Sequence, residues 1–206
     1  FTNDIAYIQI GFNTHSVPDE MIPYISLLGT LVLGMGTGRH SYTEISKLIG
    51  MHTGGIRTSH FSSATVQDRH QVLSYIFFSG KALLEKVDSL FDIFDELLGD
   101  SSFDDHKRLV EIIRSAKSDM EDSIVPHGNH YVLSRLQSYQ SRLGQFDELT
   151  DGITYYRFLE QLLERVEKDP GEVADRFRQV AERVFTRKNA FFNITATQKD
   201  YRKIEK

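Results

Sequence analysis

The chain contains no cysteine in 206 residues. That absence removes disulfides, thiolate zinc sites and cysteine nucleophiles together, and it suits a reducing compartment. There is no Lys/Arg-rich tract either, and 24 basic against 29 acidic side chains leave a net charge of −5. Phosphate backbones are held by basic faces, so no nucleic-acid partner is expected. Long apolar runs are also missing. The longest, over residues 25–35, is interrupted by Ser26, Gly29, Thr30 and Gly34. It falls short of the roughly 20 residues a bilayer span requires, so no membrane partner is expected. The chain opens on Phe1 with neither a starting Met nor a charged leader and is expected to be an excised piece of a longer polypeptide. What is present, 40% hydrophobic and 26% charged residues, has the balance of a folded globular domain.

Residues 4–12 alternate, with Ala6, Ile8, Ile10 and Phe12 on one face and Tyr7, Gln9 and Gly11 on the other, which predicts a strand. Ser16-Val17-Pro18-Asp19 has the form of a helix start, and Met21, Ile22, Ile25, Leu28, Leu31, Val32 and Met35 follow at helical spacing. Ser41 with Glu44 three residues later is a capping box for a second, short helix. After Gly54-Gly55, residues 56–66 read as a strand with two polar faces, the pattern of a sheet edge. A more apolar strand follows over 72–79.

The period then lengthens to that of helices. Leu83, Leu84, Val87, Leu90, Phe91, Phe94, Leu97 and Leu98 form one stripe, and Leu109, Ile112, Ile113, Ala116 and Met120 another, opened by Ser101, Ser102, Asp104 and Asp105. Further helices are expected over 130–143, 154–168 and, behind the Asp169-Pro170-Gly171-Glu172 cap, to about residue 185. A last strand is expected over 190–196. Residues 1–197 therefore read as one α+β domain, a single sheet of mixed or antiparallel strands covered by helices on one side, and residues 198–206 as a linker to a following domain.

No catalytic constellation emerges from spacing. With no Cys, the eight His would have to dominate a zinc site, yet no two lie four residues apart. His127 and His130 are three apart, across a segment that Pro126 and Gly128 break, and read as loop and helix cap. The carboxylate pairs Asp104-Asp105, Glu121-Asp122 and Asp147-Glu148 read as helix starts and solvated faces. Gly-x-Ser-x-Gly is absent, and Gly34-Met35-Gly36-Thr37-Gly38 follows a helix and lacks the phosphate-loop Lys, so it reads as a C-cap and turn.

Several segments nevertheless form a recognisable series: Thr2-Asn3-Asp4-Ile5-Ala6-Tyr7, Leu33-Gly34-Met35-Gly36-Thr37 with Ser41-Tyr42, and Thr53-Gly54-Gly55-Ile56. Gly152-Ile153-Thr154-Tyr155-Tyr156-Arg157-Phe158-Leu159 and Phe185-Thr186-Arg187-Lys188-Asn189 continue it. The series resembles the third domain of presequence-protease-like enzymes, in the insulinase (pitrilysin) group of zinc metallopeptidases. Thr154 stands where that subfamily's pattern has Ser. The resemblance implies an insulinase-like domain at the start of the non-catalytic half of a clamshell that encloses unfolded peptides. It implies zinc in the parent enzyme, which activates water for peptide-bond hydrolysis. The inverted His-x-x-Glu-His motif of such enzymes belongs to another domain and does not occur here, so no catalytic or metal residue carries over and no zinc is expected in this piece. The implied partners are the other domains of the polypeptide and unstructured peptides, in a bacterial cytoplasm or an organelle matrix. By analogy with the substrate-pairing strand of the catalytic domain, Ile56, Arg57, Thr58, Ser59 and His60 are the candidate peptide-contact edge. The alternative is a binding or assembly protein of the same fold that has lost zinc and activity.

Overall fold

In the computed structural model, residues 3–204 are described, so the first two residues of the expected domain and the last two of the expected linker lie outside them. The alternation near the start forms β1 (Ile5–Asn13), with Ala6, Ile8, Ile10 and Phe12 buried and Tyr7 exposed. A single 3-10 turn at Asp19–Met21 leads into α1 (Ile22–Gly34). Ser16 does not cap that helix; its hydroxyl donates to the Arg183 carbonyl at 2.9 Å, across most of the chain length. The next helix, α2 (Tyr42–His52), follows Ser41, whose backbone N–H donates to the Glu44 carboxylate at 2.9 Å. Bonds from Ser41 hold the Glu44 carboxyl below the usual carboxylate range.

Strands β2 (Ile56–Ala64) and β3 (Val72–Leu83) form the expected antiparallel pair, although β3 runs four residues past the apolar stretch. Six helices follow: α3 (Val87–Gly99), α4 (His106–Ile124), α5 (Gly128–Ser138), α6 (Arg142–Thr150), α7 (Ile153–Lys168) and α8 (Pro170–Val184). Asp105 and Asp169 cap α4 and α8, accepting from the N–H of Arg108 and Glu172 at 3.0 Å each. The single helix expected over 130–143 is two, because Ser141 accepts from the Gly144 N–H at 2.9 Å and starts a new one. Strand β4 (Ala190–Thr195) returns to the sheet. Where a linker is expected, residues 198–204 form α9 (Gln198–Ile204), and its Ile204 packs against the core.

The four strands make one antiparallel sheet in the order β2-β3-β1-β4. One face is covered. Ile8, Ile10, Ile76, Phe78 and Ala82 point into it and meet α1 and α3. Helix α1 is apolar all round, as a helix must be when it is enclosed. The sheet lies on one side of it and α4, α6 and α8 on the other. The opposite sheet face carries no helix among the described residues.

A buried carboxylate joins the helical layer. Glu148, at the end of α6, is almost fully buried and so is not the solvated acid its sequence context suggests. It accepts from Ser134 Oγ at 3.1 Å, Arg135 Nη1 at 3.2 Å, and the Thr154 N–H and Oγ1 at 3.1 and 3.0 Å. Glu148 thereby caps the positive end of α7, whose own N-cap, Gly152, has no side chain to do so. Gly152 must stay bare, because a Cβ there would stand 2.8 Å from the Glu148 Cα and inside its carboxylate. The segment Gly152-Ile153-Thr154-Tyr155 thus has a physical reason. Gly152→Ala is expected to cost about 2 kcal/mol by overpacking, and Glu148→Ala about 3 kcal/mol by stranding Arg135 and the α7 N-terminus. Urea unfolding checks this; unchanged midpoints would contradict the assignment.

Candidate functional site

Strand β2 lies at one edge of the sheet and pairs with β3 alone. Its five candidate residues are split by the pleat. Ile56 and Thr58 stand opposite Gly80 and Phe78 and face the helices, and the Thr58 side chain closes onto Gly29 of α1, where a Cβ would be 2.9 Å away. Arg57 and Ser59, opposite Ser79 and Phe77, project exposed from the open face. His60 follows on the helix side. The structure therefore places the five on one continuous edge strand but on two surfaces.

The helix-side surface is a groove of about 630 Å³ between β2 and helices α5, α6 and α7. Ser62 donates to Asp147 Oδ1 across it at 2.6 Å, which ties α6 to the sheet edge and gives Asp147 a partner that sequence context does not suggest. His130 Nε2 lies 3.5 Å from Asp151 Oδ2. The His60 residue keeps some access to solvent, but protein crowds its ring in the groove. Desolvation pushes its pKa below the ordinary histidine value, against the Ser26 carbonyl and the Asp151 carboxylate, which favour the charged form. Burial likewise raises the Tyr155 hydroxyl. His127 does not join His130: its Nδ1 contacts the Ser123 carbonyl at 3.1 Å. Among the described residues no group of three or more His, Asp or Glu is placed to hold a metal ion. The residues of this chain therefore do not fit a zinc centre of the kind the resemblance assigns to the parent enzyme.

The open face has an aromatic end. Phe191 of β4 packs edge-on against Tyr75 and Phe77 of β3, with ring centroids 5.5 and 5.7 Å apart. Gly11 of β1 lies beneath, and a Cβ there would meet the Phe77 ring at 2.9 Å. Sequence reading missed this trio, although the signal was present: in residues 75–78 both faces of one strand are aromatic or large and apolar.

An antiparallel sheet covered on one face only, with an edge strand open to a partner, defines a class of α+β domain. A crystallised conserved protein from Enterococcus faecalis V583 shares the fold, with a TM-score of 0.65 at 13% identity over 93% of this chain and 43% of that one. The family model for the domain associated with peptidases of family M16, subfamily C, matches residues 1–162, and the chain belongs to that family. Among curated relatives, protein HypA of Clostridium perfringens is 29% identical over 97% of this chain. Presequence protease 1, chloroplastic/mitochondrial, of Arabidopsis thaliana is 27% identical over 100% of it. The mitochondrial presequence protease of Saccharomyces cerevisiae is 27% identical over 95%. The chain spans about one fifth of the length of these relatives. The presequence-protease resemblance read from the sequence is thus the family to which the chain belongs. Among the described residues no helix is long and apolar enough to cross a membrane.

The depressed His60 pKa has a pH consequence. The unfolded chain takes up a proton on this residue as pH falls through 6.5, while the folded chain resists it. Stability is therefore lost as pH falls below that value and levels off below the folded pKa. His60→Gln should remove this loss, so the difference in thermal midpoint between parent and variant should change as pH falls through 6.5. Parallel midpoint curves would contradict the placement of His60.

Proposed function

We propose that this chain is a non-catalytic domain of a zinc-dependent metalloendopeptidase that degrades unstructured peptides inside a closed chamber. The domain forms chamber wall and helps to enclose the substrate. The observation that carries this reading is the family match together with relatives named presequence proteases, of which this chain accounts for one fifth. Zinc, and the chemistry of activating water, would come from residues outside this chain, since it supplies no donor set. An organelle matrix or a bacterial cytoplasm suits the cysteine-free composition and the names of the relatives.

Two surface features support the division of labour. Val132, Leu133, Leu136 and Tyr139 of α5 are exposed, an apolar strip of the kind that neighbouring domains of one polypeptide cover. The edge strand leaves backbone groups of residues 56–60 without a strand partner among the described residues. An extended peptide can pair with such groups whatever its side chains, as a degradative chamber requires.

The test compares the full-length protein that carries this domain with the 206-residue chain alone. The full-length protein is expected to hold about one zinc per molecule and to cut an unstructured peptide, and the isolated chain to do neither. In an inactivated full-length protein, bound peptide should slow amide exchange over residues 56–60. If the full-length protein neither holds zinc nor cuts, the domain is instead part of a binding or assembly protein on the same fold.

A further inference from the structure

The other end of the open sheet face holds a concavity of about 440 Å³ between the β2 edge and β4. The register places its side chains in two adjoining rows. Arg57 of β2 stands opposite Ser79 of β3, Ser79 opposite Gln9 of β1, and Gln9 opposite Asn193 of β4. Lys81 of β3 stands opposite Tyr7 of β1 in the next row. Because these positions share a strand parity, all of them project from the same face.

The chemistry of this group is one-sided. Arg57 and Lys81 are both exposed, and among the described residues neither side chain has an ion-pair or hydrogen-bond partner. No Asp or Glu lines the concavity, in a chain whose net charge is −5. Gln9 Nε2 donates to Ser79 Oγ at 3.1 Å, which leaves the Ser79 O–H proton to be donated outward. Two unpaired cations diagonal to each other across a strand pair repel, and an anion seated between them would remove that repulsion. Arg57 offers the planar fork that matches a carboxylate, and Lys81 a mobile point charge.

The surroundings select the kind of anion. Phosphate sites are built from successive backbone N–H groups at helix starts or glycine-rich loops, whereas the donors here are side chains on strands. The aromatic trio lies along the same face: the row of Phe77, Gly11 and Phe191 directly adjoins the row of Ser79, Gln9 and Asn193. At about 7 Å per two strand residues, the cations and the trio are separated by roughly 7–14 Å. An extended peptide covers that distance in about two to four residues.

We propose that this concavity is a carboxylate subsite for extended peptides, which takes an acidic side chain or a chain-terminal carboxylate while an apolar side chain a few residues away rests on Tyr75, Phe77 and Phe191. It rests on the peptide-enclosing reading given above and adds a preference to it: substrates or products with a carboxylate near an aromatic residue are held best.

The test uses the 206-residue chain and short unstructured peptides blocked at both ends, with a Phe and a Glu about three residues apart. A second peptide replaces Glu by Gln, and a third keeps Gln but has a free C-terminal carboxylate. Binding is followed by isotope-edited NMR. At least one carboxylate peptide is expected to bind about tenfold more tightly than the neutral one. Which of them does so separates the side-chain source from the terminal one. R57Q and K81Q should each abolish most of that preference without moving the thermal midpoint, and R57K should restore part of it. Equal binding of charged and neutral peptides would overturn the proposal, as would a preference that survives both variants. Inorganic phosphate that binds at Arg57 and Lys81 while the peptides show no charge preference would overturn it in favour of a free-anion site. If the carboxylate preference is present and the full-length protein fails to cut, the enzyme reading falls and the subsite stands. If the full-length protein cuts and the preference is absent, the subsite alone falls.

Discussion

Enclosure of α1 on every side is the constraint on which the rest of this domain depends. Leu28 and Leu31 are fully buried, and Tyr24, Ile25, Leu27 and Val32 nearly so, because the sheet packs on one side and α4, α6 and α8 on the other. Burying one such side chain contributes roughly 1.5–3 kcal/mol, so this helix dominates the hydrophobic term. The geometry is also strict: α1 comes so close to β2 that Gly29 must lack a side chain over Thr58. A sheet committed to α1 on one face has no covering helix left for the other. The asymmetry that leaves a face and an edge open therefore follows from how the core is built.

Rigidity in the helical layer serves the same end. Glu148 draws α5, α6 and the start of α7 together through Ser134, Arg135 and Thr154, and Asp147 beside it holds Ser62 at the strand edge. Glu96 does comparable work near α3. Burial raises its pKa, but bonds from the Thr37 hydroxyl and the His40 ring outweigh that and keep its carboxyl below the usual range. These contacts fix the edge strand from behind while leaving its outward backbone without a strand partner. A domain that presents an edge to varied peptides needs such a backing, since backbone pairing tolerates side-chain variety only when the template strand is held in register.

Local signals in the sequence were legible where one residue type decides a local geometry. The alternation of β1, the caps at Ser41 and Asp169 and the polar faces of β2 all led to the right elements. The α5/α6 break was hidden because Leu136 and Leu143 continue a helical spacing across Ser141, so the cap competed with periodicity. Strand β3 was read short because Gly80 and Lys81 look like punctuation, whereas pairing with β1 carries the strand to Leu83. The solvated reading of Asp147 and Glu148 failed because burial is a property of packing, and only the folded helices bring Arg135 to Glu148. Likewise Arg57, Gln9, Lys81 and Asn193 are scattered along the chain and become neighbours only through the register of four strands. Residue types were visible; their juxtaposition was not. Family resemblance added what periodicity could not, because it spans the chain as an ordered set of short segments.

The central claim is that the open sheet face and its β2 edge, and not the helical side, meet the peptide. Photo-crosslinking tests it most directly, with an extended peptide carrying a photoreactive residue bound to the inactivated full-length protein and the attachment sites read by mass spectrometry. Attachment at Tyr7, Arg57, Ser59, Phe77 and Lys81 is the result this account requires. Attachment confined to the outer surfaces of α5, α7 and α8 would contradict it.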